Sequence, residues 1–375
     1  MCRVNGFAGV ILAVLITLTV TGSTLAQKTT SPVYFPTKGW QTSSPEAQGM
    51  NSTTLARVLQ EIIQTGLNVK SVLVIRNGYL VMEAYRYPYD ADMPHRINSA
   101  TKSISSALVG IAIKGGYITS VSQKLVDFFP GRTIANLDDD KKRITLEDVL
   151  TMTSGLEWGG ENDDREDSVA AISSGDLVKF VLDRRMATEP GEQFVYNSAG
   201  SNLLLAVVEQ ATGQDISEFA NTMLFDPLGI TSAKWRYLDK NGHPFGGTGI
   251  TMTPRDMAKF GYLYLNKGQW DGQQVIPAAW VEASSQIQIR LRWIEGNYGY
   301  QWWVSRTGYY RALGGGGQEI VVVPDQIRSS FASKSCRGGR DSCWGGNPGK
   351  TKPETRSLTA CCCYADLPPT ADSEK

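Results

Sequence analysis

The chain has 375 residues, and its 37 basic and 37 acidic side chains cancel to a net charge of zero. An apolar share of 41% supplies ample core material and excludes a wholly disordered protein. The balanced charge excludes the broad basic footprint of a nucleic-acid binder. With only two histidines, His95 and His243, a His-rich zinc site is excluded, and a Ser-His-Asp triad would have to use one of the two.

Residues 1–26 predict a secretory signal peptide: a basic start at Met1-Cys2-Arg3, an apolar run from Phe7 to Val20, and small residues before a cut after Ala26. The run is short for a membrane span, which needs ~20 apolar residues. No stable span is expected after cleavage, and the expected location is periplasmic or secreted; an uncleaved anchor is the alternative. Residues 27–50, rich in Ser, Thr, Pro and Gln, read as an exposed lead-in. Leu55, Leu59 and Ile62-Ile63 then recur at helical spacing over Asn51 to Gln64. The β-rich runs Val72 to Ile75 and Tyr79 to Met82 flank Asn77-Gly78, a pair that tolerates positive φ and predicts a two-residue hairpin.

From Thr101 the pattern turns helical, with Ile104, Leu108 and Ile111 on one stripe and Gly115-Gly116 as the stop. Helical patterns dominate residues 116–289, among them Leu177 to Met186, Asn202 to Thr212 and Pro254 to Leu265. The last carries a Thr253 cap and proline at the first helical position. Residues 298–304, 309–312 and 318–323 return to β character. The fold class expected is α+β: an antiparallel sheet built from N- and C-terminal strands, flanked by helices, with an inserted, mostly helical region. It occupies residues 51–326, the α/β part at about 51–115 and 290–326 and the helical part at about 116–289.

Residues 327–375 lack apolar periodicity and read as a disordered tail. Five of the six cysteines lie there (Cys336, Cys343, Cys361, Cys362 and Cys363), the sixth being Cys2. The body is therefore expected to use neither disulfides nor thiol chemistry, and the tail spacing matches no metal pattern. The run Gly345 to Thr351 imitates a phosphate loop, but its glycine spacing is one residue short and it has no strand before it or helix after it.

Ser99-Ala100-Thr101-Lys102 is the one Ser-x-x-Lys of the chain. Residues three apart share a helix face, so the Lys102 amine can reach the Ser99 hydroxyl. Burial and the positive helix N-terminus both favour the neutral amine, which can take the serine proton. The competing reading makes Ser99 a helix cap and Lys102 a solvated side chain. A second segment, Phe194-Val195-Tyr196-Asn197-Ser198, offers a tyrosine able to shuttle a proton, or an aromatic that anchors a loop. A third, Ala312-Leu313-Gly314-Gly315-Gly316-Gly317-Gln318, offers glycine N–H groups at a strand edge, or a flexible turn.

Taken in order, these three segments resemble the serine β-lactamase and penicillin-binding-protein superfamily, and more closely its class C β-lactamase-related hydrolases, including esterases and 6-aminohexanoate-oligomer hydrolases. Leu146 to Leu156, Pro190 to Tyr196, Asp226 to Ile230, Thr251 to Ala258 and Tyr298 to Trp303 carry the likeness further, over residues 40 to 325. The resemblance implies Ser99 as acylated nucleophile, Lys102 as its base and Tyr196 as second proton shuttle. It implies an oxyanion hole from the N–H groups of Ser99 and Gly315, no cofactor and no metal. Ser198, Gly314, Trp158 and Tyr298 would line the substrate site. The expected function is hydrolysis of a small amide or ester through an acyl-enzyme. The alternatives are a non-catalytic penicillin-recognising sensor of the same fold and an aromatic-rich glycan-binding module.

Three features depart from the family pattern. Ser198 stands where β-lactamases usually have Asn. Ala312-Leu313-Gly314 offers no cation for a substrate carboxylate, which favours a neutral ester or amide. The tail after Asp325 shows neither the family's last strand nor its last helix, so a frame-altered end with an unpaired sheet edge and weakened stability is expected. The acidic stretch Glu161 to Asp167 reads as a solvated loop.

Overall fold

The computed structural model describes residues 34–159, 164–291, 296–324 and 357–364. The signal-peptide reading and most of the tail lie outside these residues. The chain forms an α+β fold around one eight-stranded sheet. Its strands are β1 (Gln41–Thr42), β2 (Asn68–Arg76), β3 (Tyr79–Tyr85), β4 (Asn297–Tyr298), β5 (Trp303–Val304), β6 (Tyr310–Gly314), β7 (Gln318–Val323) and β8 (Ser357–Tyr364), in the spatial order β1-β3-β2-β8-β7-β6-β5-β4.

The β2–β3 hairpin turns at Asn77 and Gly78, with φ of 52° and 80°, the left-handed pair that suits the twist of the strands. Gly78 is needed for a second reason: a Cβ there would stand 2.8 Å from the Tyr262 hydroxyl and 2.9 Å from the Tyr34 carbonyl. The period-two alternation of β2 sends Val74 to one face, with Leu55 and Val58 of helix α1 (Ser52–Gln64), and Leu73 and Ile75 to the other. The Asn51 side chain caps α1 by accepting from Thr54 N at 2.9 Å.

Helix α2 (Thr101–Lys114) packs against the helix Gly200–Thr212 and against strand β6, and is buried along almost its whole length. A helix enclosed on all sides must satisfy its polar side chains internally. Ser103 Oγ donates to the Gln301 carbonyl and Ser105 Oγ to the Gly246 carbonyl, both at 2.8 Å. The helical region lies beyond it: α3 (Asp164–Ser173), α4 (Leu177–Leu182), α5 (Gly200–Thr212) and, capped by Thr253, α6 (Pro254–Leu265).

Four expectations are corrected. The sheet is not wholly antiparallel, because β1 runs parallel to β3, and β8 runs parallel to both β2 and β7. The tail is not strandless: β8 fills the slot between the N-terminal hairpin and the C-terminal strands, so neither edge there is left open. The β run over residues 298–304 is two short strands, Trp303 pairing back with Tyr298, because Gln301 between them takes φ 63°. The lead-in is partly packed: Phe35 meets Tyr262 at a tilt and Trp40 meets it edge-on, and Trp270 Nε1 donates to Thr37 Oγ1 at 2.8 Å.

Candidate active site

Ser99 sits in a 3-10 turn (Asn98–Ala100) that leads directly into α2. Asn98 holds φ at 49°, the left-handed region Asn tolerates, and its Nδ2 donates to the Gly315 carbonyl at 2.5 Å. Ser99 is half-buried, whereas Lys102, one turn on, is 1% exposed. The serine thus lies at the mouth of the site and the lysine beneath it.

Three oxygens surround Lys102 Nζ: Ser99 Oγ at 3.1 Å, Ser198 Oγ at 2.8 Å and the Gly247 carbonyl at 2.7 Å. Ser198 and Gly247 are 96 and 145 residues away in sequence, so it is the tertiary fold that assembles the cage. Glycine is required at 247 because a Cβ would come within 1.9 Å of the Ser198 carbonyl. Tyr196 presents its ring to the same nitrogen, 4.6 Å from centroid to Nζ. Trp303 stacks on Tyr196 at 6.0 Å and 26°, and Tyr298 meets the Trp303 edge at 5.1 Å.

Asp164, at the start of α3, completes the network. Its carboxylate accepts from Ser198 N and Ser198 Oγ, both at 2.6 Å, and from Trp158 Nε1 at 2.9 Å. The stretch read as a solvated loop therefore reaches into the site. Asp167 of the same helix accepts from Gly159 N at 2.7 Å and pairs with Arg184 at 2.9 Å.

Strand β6 forms the other wall. Gly314 packs against the Ser99 turn so closely that a Cβ would stand 2.1 Å from the Ile97 carbonyl. Gly315 is exposed at the start of the following turn. Oxyanion-type catalysis needs N–H groups held close to the nucleophile, and this packing brings the Gly315 backbone beside the Ser99 turn.

The structure thus brings the predicted residues into one region. Trp158 is 6% exposed and set among core residues, where its indole orients Asp164; it offers no open wall to a ligand. Tyr298 is 1% exposed, and burial, reinforced by Tyr196 and Asp164, pushes its phenol well above the usual range, which keeps it neutral. Gly314 serves close packing. Sequence reasoning missed Asp164 and Gly247; the cluster Gly246-Gly247-Thr248-Gly249 was a visible signal for the latter. Among the described residues no group of His, Cys, Asp and Glu side chains is placed to hold a metal ion, and no helix is long and apolar enough to cross a membrane. A cavity of about 380 Å³ lies away from Ser99, between α1 and the β2–β3 hairpin, lined by Leu59, Ile62 and Tyr85.

Comparison with known proteins places the chain in a family. The 6-aminohexanoate-dimer hydrolase of Paenarthrobacter ureafaciens is 26% identical over 278 residues, 67% of this chain and 69% of that protein. The ML-236A carboxylate methylbutanoyltransferase of Penicillium citrinum is 28% identical over 166 residues, 40% of this chain and 39% of that protein. Among solved structures, a penicillin-binding-protein homologue from Caulobacter crescentus superposes with a TM-score of 0.60 at 15% identity, over 76% of this chain and 90% of that one. The Beta-lactamase family model matches residues 55–333, a span that holds Ser99, Lys102, Tyr196 and the strands that frame them, and the chain belongs to that family.

Proposed function

We propose that this protein is a serine hydrolase that cleaves a small, neutral ester or amide through an acyl-enzyme on Ser99. The observation that carries the reading is the 3.1 Å approach of Lys102 Nζ to Ser99 Oγ inside a cage that excludes water from the lysine. In the first step Ser99 Oγ attacks the substrate carbonyl carbon while its proton passes to Lys102 Nζ. The carbonyl oxygen, now negative, is received by the N–H groups of Ser99 and Gly315, which together supply several kcal/mol, roughly 3 each. The bond to the leaving group then breaks, and the departing oxygen or nitrogen takes a proton from Lys102 through Tyr196. Water attacks the acyl-enzyme by the same route in reverse and frees Ser99.

Two observations bear on substrate. The Ala312-Leu313-Gly314 edge carries no cation for a substrate carboxylate, which supports neutral acyl groups over β-lactams. One relative is named a 6-aminohexanoate-dimer hydrolase and another a methylbutanoyltransferase, and both names fit transfer of an acyl group. The test is covalent labelling by a fluorescent phosphonate, with mass spectrometry of the peptide that holds Ser99. Labelling and turnover of p-nitrophenyl esters, both lost in Ser99→Ala, support the proposal. Label without turnover of esters, linear amides or nitrocefin would make the protein an acyl-accepting sensor instead.

A further inference from the structure

On the reading that Ser99 is acylated with Lys102 as base, we infer that Asp164 is a positioning residue: it acts through Ser198 to aim the lone pair of Lys102 at Ser99. A carboxylate can only accept, and among the described residues the groups that donate to Asp164 are Ser198 N, Ser198 Oγ and Trp158 Nε1. The single hydroxyl hydrogen of Ser198 is therefore committed to Asp164. Ser198 Oγ is left with lone pairs alone to offer Lys102 Nζ at 2.8 Å, and the Gly247 carbonyl at 2.7 Å likewise has nothing else to offer. Two of the three directions around Nζ are thus fixed as donors. An amine has two hydrogens and one lone pair, so the lone pair must take the remaining direction, toward Ser99 Oγ at 3.1 Å.

Without the carboxylate this logic fails. An asparagine at 164 can turn its Nδ2 donor toward Ser198 Oγ. The Ser198 hydrogen then swings toward Lys102 and competes with Ser99 for the same lone pair. The other ionisable groups about this network are Tyr196 over Nζ, the neutral phenol of Tyr298, and the Arg184–Asp167 pair beyond Trp158. None of them changes in the substitution.

The experiment follows pre-steady-state acylation by p-nitrophenyl acetate, with kcat and KM separately and melting temperature, in the full chain and in Asp164→Asn, Ser198→Ala, the double variant and Asp164→Glu. Asp164→Asn should lower the acylation plateau by about 10- to 100-fold, part of the span assigned to general-base catalysis. Asp164→Glu, which keeps both charge and acceptors, should recover most of the rate. In the Ser198→Ala background Asp164→Asn should cost nothing more, because the link is already cut. The inference is overturned if Asp164→Asn loses as much without Ser198 as with it, or if Asp164→Glu recovers none of the rate while its melting temperature matches that of the unaltered protein. Ser99→Ala is measured beside them. If it retains the full rate, the acyl-enzyme reading fails; if it is dead while Asp164→Asn is fully active, only the positioning role fails.

Discussion

Gly314→Ala tests whether the contact between β6 and the Ser99 turn sets the geometry of catalysis. The added methyl carbon would lie 2.1 Å from the Ile97 carbonyl and 3.2 Å from Ala100 N, both main-chain atoms that cannot swing aside. Ordinary contact begins at 3.4 Å, so strand and turn must separate by about 1.3 Å. Overpacking of this kind costs ~1–3 kcal/mol of stability. A displacement of ~1 Å at a reacting centre can cost about 100-fold in rate. The variant should therefore melt only several degrees lower yet acylate about two orders of magnitude more slowly. Differential scanning calorimetry and burst kinetics with p-nitrophenyl acetate measure the two effects on one sample. Unchanged acylation with a clear loss of melting temperature would falsify the claim that this contact aligns Gly315 with Ser99, since the strand would then be moving without consequence for the site.

Lys102→Ala should lower the acylation rate by about 100- to 10,000-fold, the range for a general base, and near-normal rates would move the base elsewhere. Trp303→Ala removes the ring stacked on Tyr196; kcat should fall several-fold with melting temperature little changed, and an unaltered kcat would leave Tyr196 held by other contacts. His95, 3% exposed, has its imidazole pushed down from 6.5 to about 4, first by burial and then by the Lys70 charge. The native state therefore binds this proton less readily than the unfolded chain does. Stability from this group is full above pH 6.5 and declines, by ~1–3 kcal/mol in all, as pH falls toward 4. Urea titrations should show that His95→Gln flattens this limb, and an identical slope in both proteins would assign it to other groups.

Elements specified by neighbouring residues were readable in advance. The Asn51 cap, the Asn77-Gly78 turn and the Thr253-Pro254 start of α6 each state their conformation within a few residues. Ser99 and Lys102 were readable for the same reason, since one helical turn fixes their spacing. Asp164 was not. Its partner Ser198 is 34 residues away, and an aspartate within the acidic run from Glu161 to Asp167 looks like any solvated charge until tertiary structure sets it against a hydroxyl. Trp158 and Tyr298 were placed in the right neighbourhood, but composition cannot tell an aromatic that faces a ligand from one buried behind it. Strand β8 escaped because Ser357 to Tyr364 alternates polar and apolar residues only as far as Ala360 and then runs through three cysteines, too short a pattern to stand out from the polar, glycine-rich sequence before it.

The position of β8 explains why the two halves of the site depend on each other. Ser99 and Lys102 follow the N-terminal hairpin, whereas Gly314 and Gly315 belong to the C-terminal strands. Among the described strands the halves are joined within the sheet through β8, which pairs with β2 from Ser357 to Tyr364 and with β7 from Thr359 to Tyr364. Across the site they are joined again by Gly314 against Ile97 and by Asn98 Nδ2 on the Gly315 carbonyl. A slip of β8 by two residues preserves the pleat but shifts β7, and with it β6, by roughly 6–7 Å along the strand direction. No side-chain adjustment spans such a distance. The register of one strand far along the chain is thus coupled to the distance between a serine hydroxyl and the amide that would hold its oxyanion.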